Sequence, residues 1–205
     1  MKADELMDSA IHTLAKQRPD LCDQSGRGFW PVPVHFPRLL SKTLDALQRE
    51  VSERYLRHDP TADTLASVRM DFMRVVGEGD LGENHTKLFL ADHPGIANVT
   101  PEESDRLPFG QFCRSILTID DPVLLMAILT RNEEGGLAEA QALADTKLIK
   151  PDGPFALTHL REEEVHGRIS ADMRKKLLSI SEFEQRFHLG ETIHDQFYLS
   201  ILDAR

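Results

Sequence analysis

The stretch FPRLLSKTLDALQREVSERYLR, residues 36–57, decides the fold class. Its apolar positions Leu39, Leu40, Leu44, Leu47, Val51 and Tyr55 recur every three to four residues, the spacing that gathers side chains on one face of a helix. Outward from it the pattern repeats. Asp59-Pro60 interrupts, and Leu65, Val68, Phe72, Val75 and Val76 set a second helix, which Gly77, Gly79 and Gly82 break. A short helical segment over 84–92 carries Leu88, Phe89 and Leu90. On the N-terminal side, residues 3–17 form an amphipathic helix. The intervening GRGFWPVPVHFP, residues 26–37, holds three prolines, each of which removes a donor and clashes with the preceding turn. It is expected to be irregular and to wrap a core edge through Trp30.

Further along, helix starts are explicit. Thr100-Pro101-Glu102-Glu103 combines a cap, a proline at the first helical position and a glutamate three residues on. Asp121-Pro122 opens another helix, and Asp152-Gly153-Pro154 opens one that runs past His166 to about Leu178. Ser181-x-x-Glu184 reads as a capping box leading into a last helix with Phe187, Ile193, Phe197, Leu199 and Ile201. No segment alternates apolar and polar as a strand would. The expectation is an all-α chain: one compact bundle of about seven or eight helices over 1–205, with 1–35 as N-terminal helix and Pro-rich lead-in.

Composition narrows the function classes. The chain has 205 residues, and 24 Lys and Arg against 34 Asp and Glu give a formal net charge of −10. That balance argues against a phosphate-tracking nucleic-acid binder, which carries a basic stripe. No apolar run approaches the roughly 18–20 residues of a membrane span, and the charged start MKADELMDSAIHTLAK is no signal peptide. Cys22 and Cys113 are the two cysteines, far apart, so neither a disulfide framework nor a thiolate zinc site is expected. A reducing cytoplasm fits, with neither nucleic acid nor membrane as partner.

The chemistry lies in histidines and carboxylates at helical spacing. His159, Glu163 and His166 stand at i, i+4 and i+7 and point the same way within an arc of about 60°. Two imidazoles and a carboxylate on one face can converge on a first-row metal such as iron or manganese. The plainer reading is a solvated face, since REEEVHGR is very polar. Against it, Phe155, Ala156, Val165 and Ile169 make no clean apolar stripe for the inward side. Glu78 and His85, also seven apart, would share a face on an unbroken helix. On spacing alone, a loop with a capping glycine is the simpler reading. In AILTRNEEGGL, Glu133 continues the line of Met126, Leu129, Leu137, Ala140 and Ala144, and should face inward if the helix survives Gly135 and Gly136. Glu134 lies about 100° round. A buried carboxylate costs several kcal/mol without a cation, a metal or a proton. His188, Glu191 and His194 form a competing set, which with Glu50 or Glu53 would make a ferritin-like site. Their three-residue steps fan out over about 120°.

EGDLGENHTKLF resembles the ligand helix of the haem-oxygenase-like di-iron oxidases and oxygenases, which carries Glu-x6-His. His159-x3-Glu163-x2-His166 is similar to that family's His-x3-(Asp/Glu)-x2-His motif, with Glu where Asp is more usual. The resemblance covers residues from about 36 to the end. It implies Glu78, His85, Glu133 (or Glu134), His159, Glu163 and His166 as ligands of two irons, with manganese as an alternative. It further implies an O2-dependent oxidoreductase acting on a small metabolite such as an amino acid, amine or fatty acid, with a homodimer left open. The glycines between Glu78 and His85 each cost about 1 kcal/mol of helix stability, so the second metal should be labile. Three other readings stay open: a cofactor-free or thiol-dependent enzyme on the same bundle, a non-catalytic helical interaction module, and haem binding through His35.

Overall fold

The structure is a computed structural model that describes residues 1–29, 31–78, 85–95 and 99–204; the side chains of residues 31–34, 76–78, 85 and 86 lie outside that description. Among the described residues there are nine α-helices and no strand. In chain order they are α1 (Ala3–Gln17), α2 (Pro31–Leu56), α3 (Ala62–Glu78), α4 (His85–Asp92), α5 (Pro101–Ser104), α6 (Pro108–Ile116), α7 (Pro122–Asp145), α8 (Pro154–Leu178) and α9 (Glu184–Asp203). The all-α bundle expected from the sequence is present, with nine helices rather than seven or eight. The extra ones are short: α5 closes after a single turn, and Leu107-Pro108 starts α6 at once.

Most helix starts follow the sequence signals. Thr100 and Glu103 form the reciprocal capping box, and Asp121 accepts the backbone N–H groups of Val123 and Leu124 at the head of α7. Two expectations fail. The Ser181 capping box does not form: residues 181–183 make a 3-10 turn, and Phe183 stands at the cap of α9. The Pro-rich stretch is helical from Pro31 onward. Pro31 and Pro33 occupy the first turn, where the backbone N–H has no helical acceptor to lose, so only Pro37 sits inside the helix. Trp30, expected at a core edge, lies outside the described residues.

Helix α7 is the centre of the bundle and packs against α1, α8 and α9. Around it, α2 lies on α3 and α6, while α3 and α4 lie on α8. Gly135 and Gly136 do not break α7, because each serves a close approach. A Cβ on Gly135 would stand 2.2 Å from Met7 Sδ and 3.2 Å from the Ala3 backbone on α1. A Cβ on Gly136 would stand 2.2 Å from Glu163 Oε2 on α8. The inward face of α2 ends at Arg54, not at Tyr55, which is 49 % exposed. Arg54 is buried and bonds Glu50, Asp59, Thr61 and Glu182, which ties α2 to the start of α3 and to the approach of α9.

Apolar side chains form two clusters. One joins α1, α4 and the ends of α7 and α9; the other joins α2, α3, the first half of α7 and the end of α8. Where they meet they leave a cavity. No helix among the described residues is long and apolar enough to cross a membrane.

Candidate metal centre

The cavity measures about 420 Å3 and has a lining of two kinds. Helices α2, α3 and α6 contribute mainly aromatic and aliphatic side chains, among them Phe36, Leu40, Phe72, Phe109 and Phe112. Helices α7, α8 and α9 contribute Glu133, Glu139, His159, Glu163, His166 and Tyr198, beside apolar Ile128, Leu129 and Phe155.

Helix α8 carries His159, Glu163 and His166 on one face, as the spacing requires. Its first turn is held by Asp92 at the end of α4, which accepts the Phe155 N–H at 2.8 Å. A carboxylate at a helix N-terminus also favours the dipole. Along this face His159 Nε2 lies 2.8 Å from Glu163 Oε1. His166 Nδ1 lies 3.5 Å from Glu133 Oε2 on α7. One ligand atom from each of Glu133, Glu163 and His166 lies within 4.8 Å of the other two. Glu163 and His166 are 4 % and 3 % exposed, so the solvated-face reading of REEEVHGR fails for them. Val165, on the opposite side, is 39 % exposed.

Glu133 faces the cavity and Glu134 does not, which separates the two glutamates the sequence left open. Glu134 pairs with Arg131 and Arg174. The inward line of α7 nevertheless differs from expectation, since Leu137 is 46 % exposed. The rest of that line, Met126, Leu129, Ala140 and Ala144, is buried as expected, and Glu133 and Glu139 line the cavity. Glu78 ends α3 and His85 opens α4, but their side chains lie outside the described residues.

Electrostatics concentrate here. Burial, reinforced by the nearby Glu163, pushes the Glu133 carboxyl well above the usual carboxylate range. Burial also pushes Glu139 up, against its Tyr198 hydrogen bond, to about 7. Burial alone would lower His159, but the bonded Glu163 outweighs it and raises the imidazole to about 9. A protonated imidazole thus stands bonded to the Glu163 carboxylate, while burial favours the neutral form of Glu133.

These residues suit a metal ion. The donors are carboxylate oxygens and imidazole nitrogens with no thiolate among them, a set that could hold a first-row divalent metal. The absent side chain at Gly136 leaves room for Glu163 Oε2 that any other residue would fill. Among the described residues no other cluster of His, Cys, Asp and Glu meets the same spacing. The competing set on α9 splits apart: exposed His188 bonds Glu191, Glu191 pairs with Arg174, and His194 is fully buried beside Tyr198. Glu50 is taken by Arg54. His35 lies on α2 against Ser104 and Asp105 and does not line the cavity, so haem ligation there finds no support.

Two cavity residues escaped the sequence reading. Glu139 is the only charged residue in LAEAQALA, a lone carboxylate in an apolar run, and that signal could have found it. Tyr198 follows buried Gly190 and His194 at four-residue steps along α9. Its hydroxyl donates to Glu139 Oε1 at 2.7 Å, and burial beside that carboxylate drives the phenol well above its ordinary range. Cys113 also lines the cavity, but burial pushes its thiol up to about 12, so no thiolate forms near neutrality. A scan of protein-family models and searches of curated proteins and solved structures found no match to this chain.

Proposed function

We propose that the chain is an O2-dependent oxidase or oxygenase that holds a non-haem di-iron centre between α7, α8 and the α3–α4 region and acts on a small metabolite. The resemblance of EGDLGENHTKLF and His159-x3-Glu163-x2-His166 to the haem-oxygenase-like di-iron enzymes motivates the reading. The observation that supports it most is that Glu133, Glu163 and His166 come within 4.8 Å of one another in a cavity of metabolite size.

Glu133, Glu163, His159 and His166 would hold the metal, joined by Glu78 and His85 as the resemblance implies. Iron bound there supplies O2 binding and one-electron redox chemistry, for which side chains have no equivalent. The remaining work falls to the chain. Before a metal binds, His159 is bonded to Glu163 and holds that carboxylate turned toward it. Glu139 can hold or release a proton near neutrality, with Tyr198 as its hydrogen-bond donor. Phe109, Phe112 and Phe72 keep water out and seat the carbon skeleton of the substrate.

Anaerobic titration with Fe(II), followed by admission of O2, tests this. Saturable binding approaching two ions per chain, with O2 consumed on mixing, is expected. A protein that binds no Fe(II) contradicts the proposal.

A further inference from the structure

The cavity carries a second polar feature apart from the metal-ligand trio. Glu139 is 5 % exposed and its partner Tyr198 1 % exposed. Both line the cavity, and the Tyr198 hydroxyl uses only Oε1 of the carboxylate. Among the described residues, Glu139 Oε2 takes no hydrogen bond, and it is not among the fully enclosed unpartnered atoms. An acceptor is therefore left open toward the cavity. No Lys or Arg lines the cavity among the described residues, and the cation that does, His159, is bonded to Glu163 rather than to Glu139. The lining from α2, α3 and α6 is mainly aromatic and aliphatic. An open carboxylate oxygen in a lining that is otherwise largely apolar defines a complementary ligand: a cationic nitrogen attached to a hydrocarbon tail.

We infer that the cavity selects an amine with an apolar tail, its ammonium group received by Glu139 Oε2 and its tail lying along Phe72, Phe109 and Phe112. A buried carboxylate facing an ammonium forms a charge-assisted hydrogen bond, the stronger kind. A free carboxylic acid of the same length meets like charge at Glu139, and the cation in the lining, His159, is already bonded to Glu163. An alcohol meets neither penalty nor charge assistance. Tyr198 positions the carboxylate by holding Oε1, which leaves Oε2 directed to the ligand. This deepens the proposed function and rests on it for the reaction, though not for the binding.

Calorimetric titration of the protein as isolated with n-octylamine, n-octanoate and n-octanol tests the inference. Octylamine is expected to bind at least about tenfold more tightly than octanoate or octanol, the margin one charge-assisted hydrogen bond carries. In E139Q that margin is lost, and in Y198F, which keeps the carboxylate but frees it to turn, the margin shrinks without vanishing. Equal affinity for amine and acid, or an amine affinity that E139Q leaves unchanged, overturns the inference. The three ligands on the unmutated chain decide the matter even if E139Q does not fold. Fe(II) titration of the same samples reads the metal proposal separately. Amine preference without iron binding overturns the oxidase and leaves this inference, and iron binding without amine preference does the reverse.

Discussion

Gly136 on α7 and Glu163 on α8 are shaped to each other: a Cβ at residue 136 would lie 2.2 Å from Glu163 Oε2. The colliding atom is the far end of a flexible side chain, so the fold can absorb a methyl group there by turning the carboxylate away. Helix α7 would gain up to about 1 kcal/mol from replacing glycine by alanine. Gly136→Ala is therefore expected to leave the metal-free protein as stable as before, or more so, while metal affinity falls at least about tenfold. Thermal unfolding and Mn(II) titration of the same sample check this. Gly135→Ala makes the contrast. It meets Met7 and the α1 backbone, so it should cost about 1–3 kcal/mol of stability and leave metal binding unchanged.

The charges at the site set a pH dependence. His159 is raised to about 9 from an ordinary 6.5, and Glu133 is raised well above 4.5. Each must lose its proton to become a ligand, so metal binding releases protons. Metal affinity should climb as pH rises from 6.5 toward 9, with proton release visible when titrations are repeated in buffers of different ionisation enthalpy. Stability of the metal-free fold should move the other way over the same window. The raised His159 pKa contributes stability that is fully present below 6.5 and lost as pH rises through 9.

Glu139 adds a separate acid-side effect. Its folded pKa of about 7 lies above its ordinary 4.5, so the folded state binds a proton that the unfolded state has released. Stability from this group is present below 4.5 and falls as pH rises through 7. Glu139→Gln should flatten the fall in stability between those values, read by urea denaturation at several pH values.

The all-α class and most helix starts were legible in the sequence because prolines, caps and three-to-four-residue spacing are local signals, whereas the split into α5 and α6 was not. The metal-ligand face of α8 was legible for the same reason, as His159, Glu163 and His166 needed only 3.6-residue geometry. What escaped depends on neighbours. Leu137 fits the apolar spacing of α7 but turns outward, because α8 packs on the side where Gly136 leaves room. Tyr55 fits the spacing of α2, yet Arg54 takes the buried place because four partners from three segments meet it. The prolines at 31 and 33 look like breakers until their place in a first turn is known.

Arg54 gives a test of that last kind of contact. Its guanidinium is buried, bonds four side chains and lies 4.8 Å from the centre of the Phe183 ring. Removing one partner from a buried charged network leaves the others uncompensated. Arg54→Ala should destabilise the protein by about 3–5 kcal/mol in chemical denaturation, with metal affinity per folded molecule unchanged.

Anomalous diffraction from crystals grown or soaked anaerobically with Fe(II) addresses the central claim most directly. An iron peak bonded jointly by Glu133, Glu163 and His166 is the expected result. Iron found only elsewhere on the chain, with those three side chains still packed against one another, would contradict it.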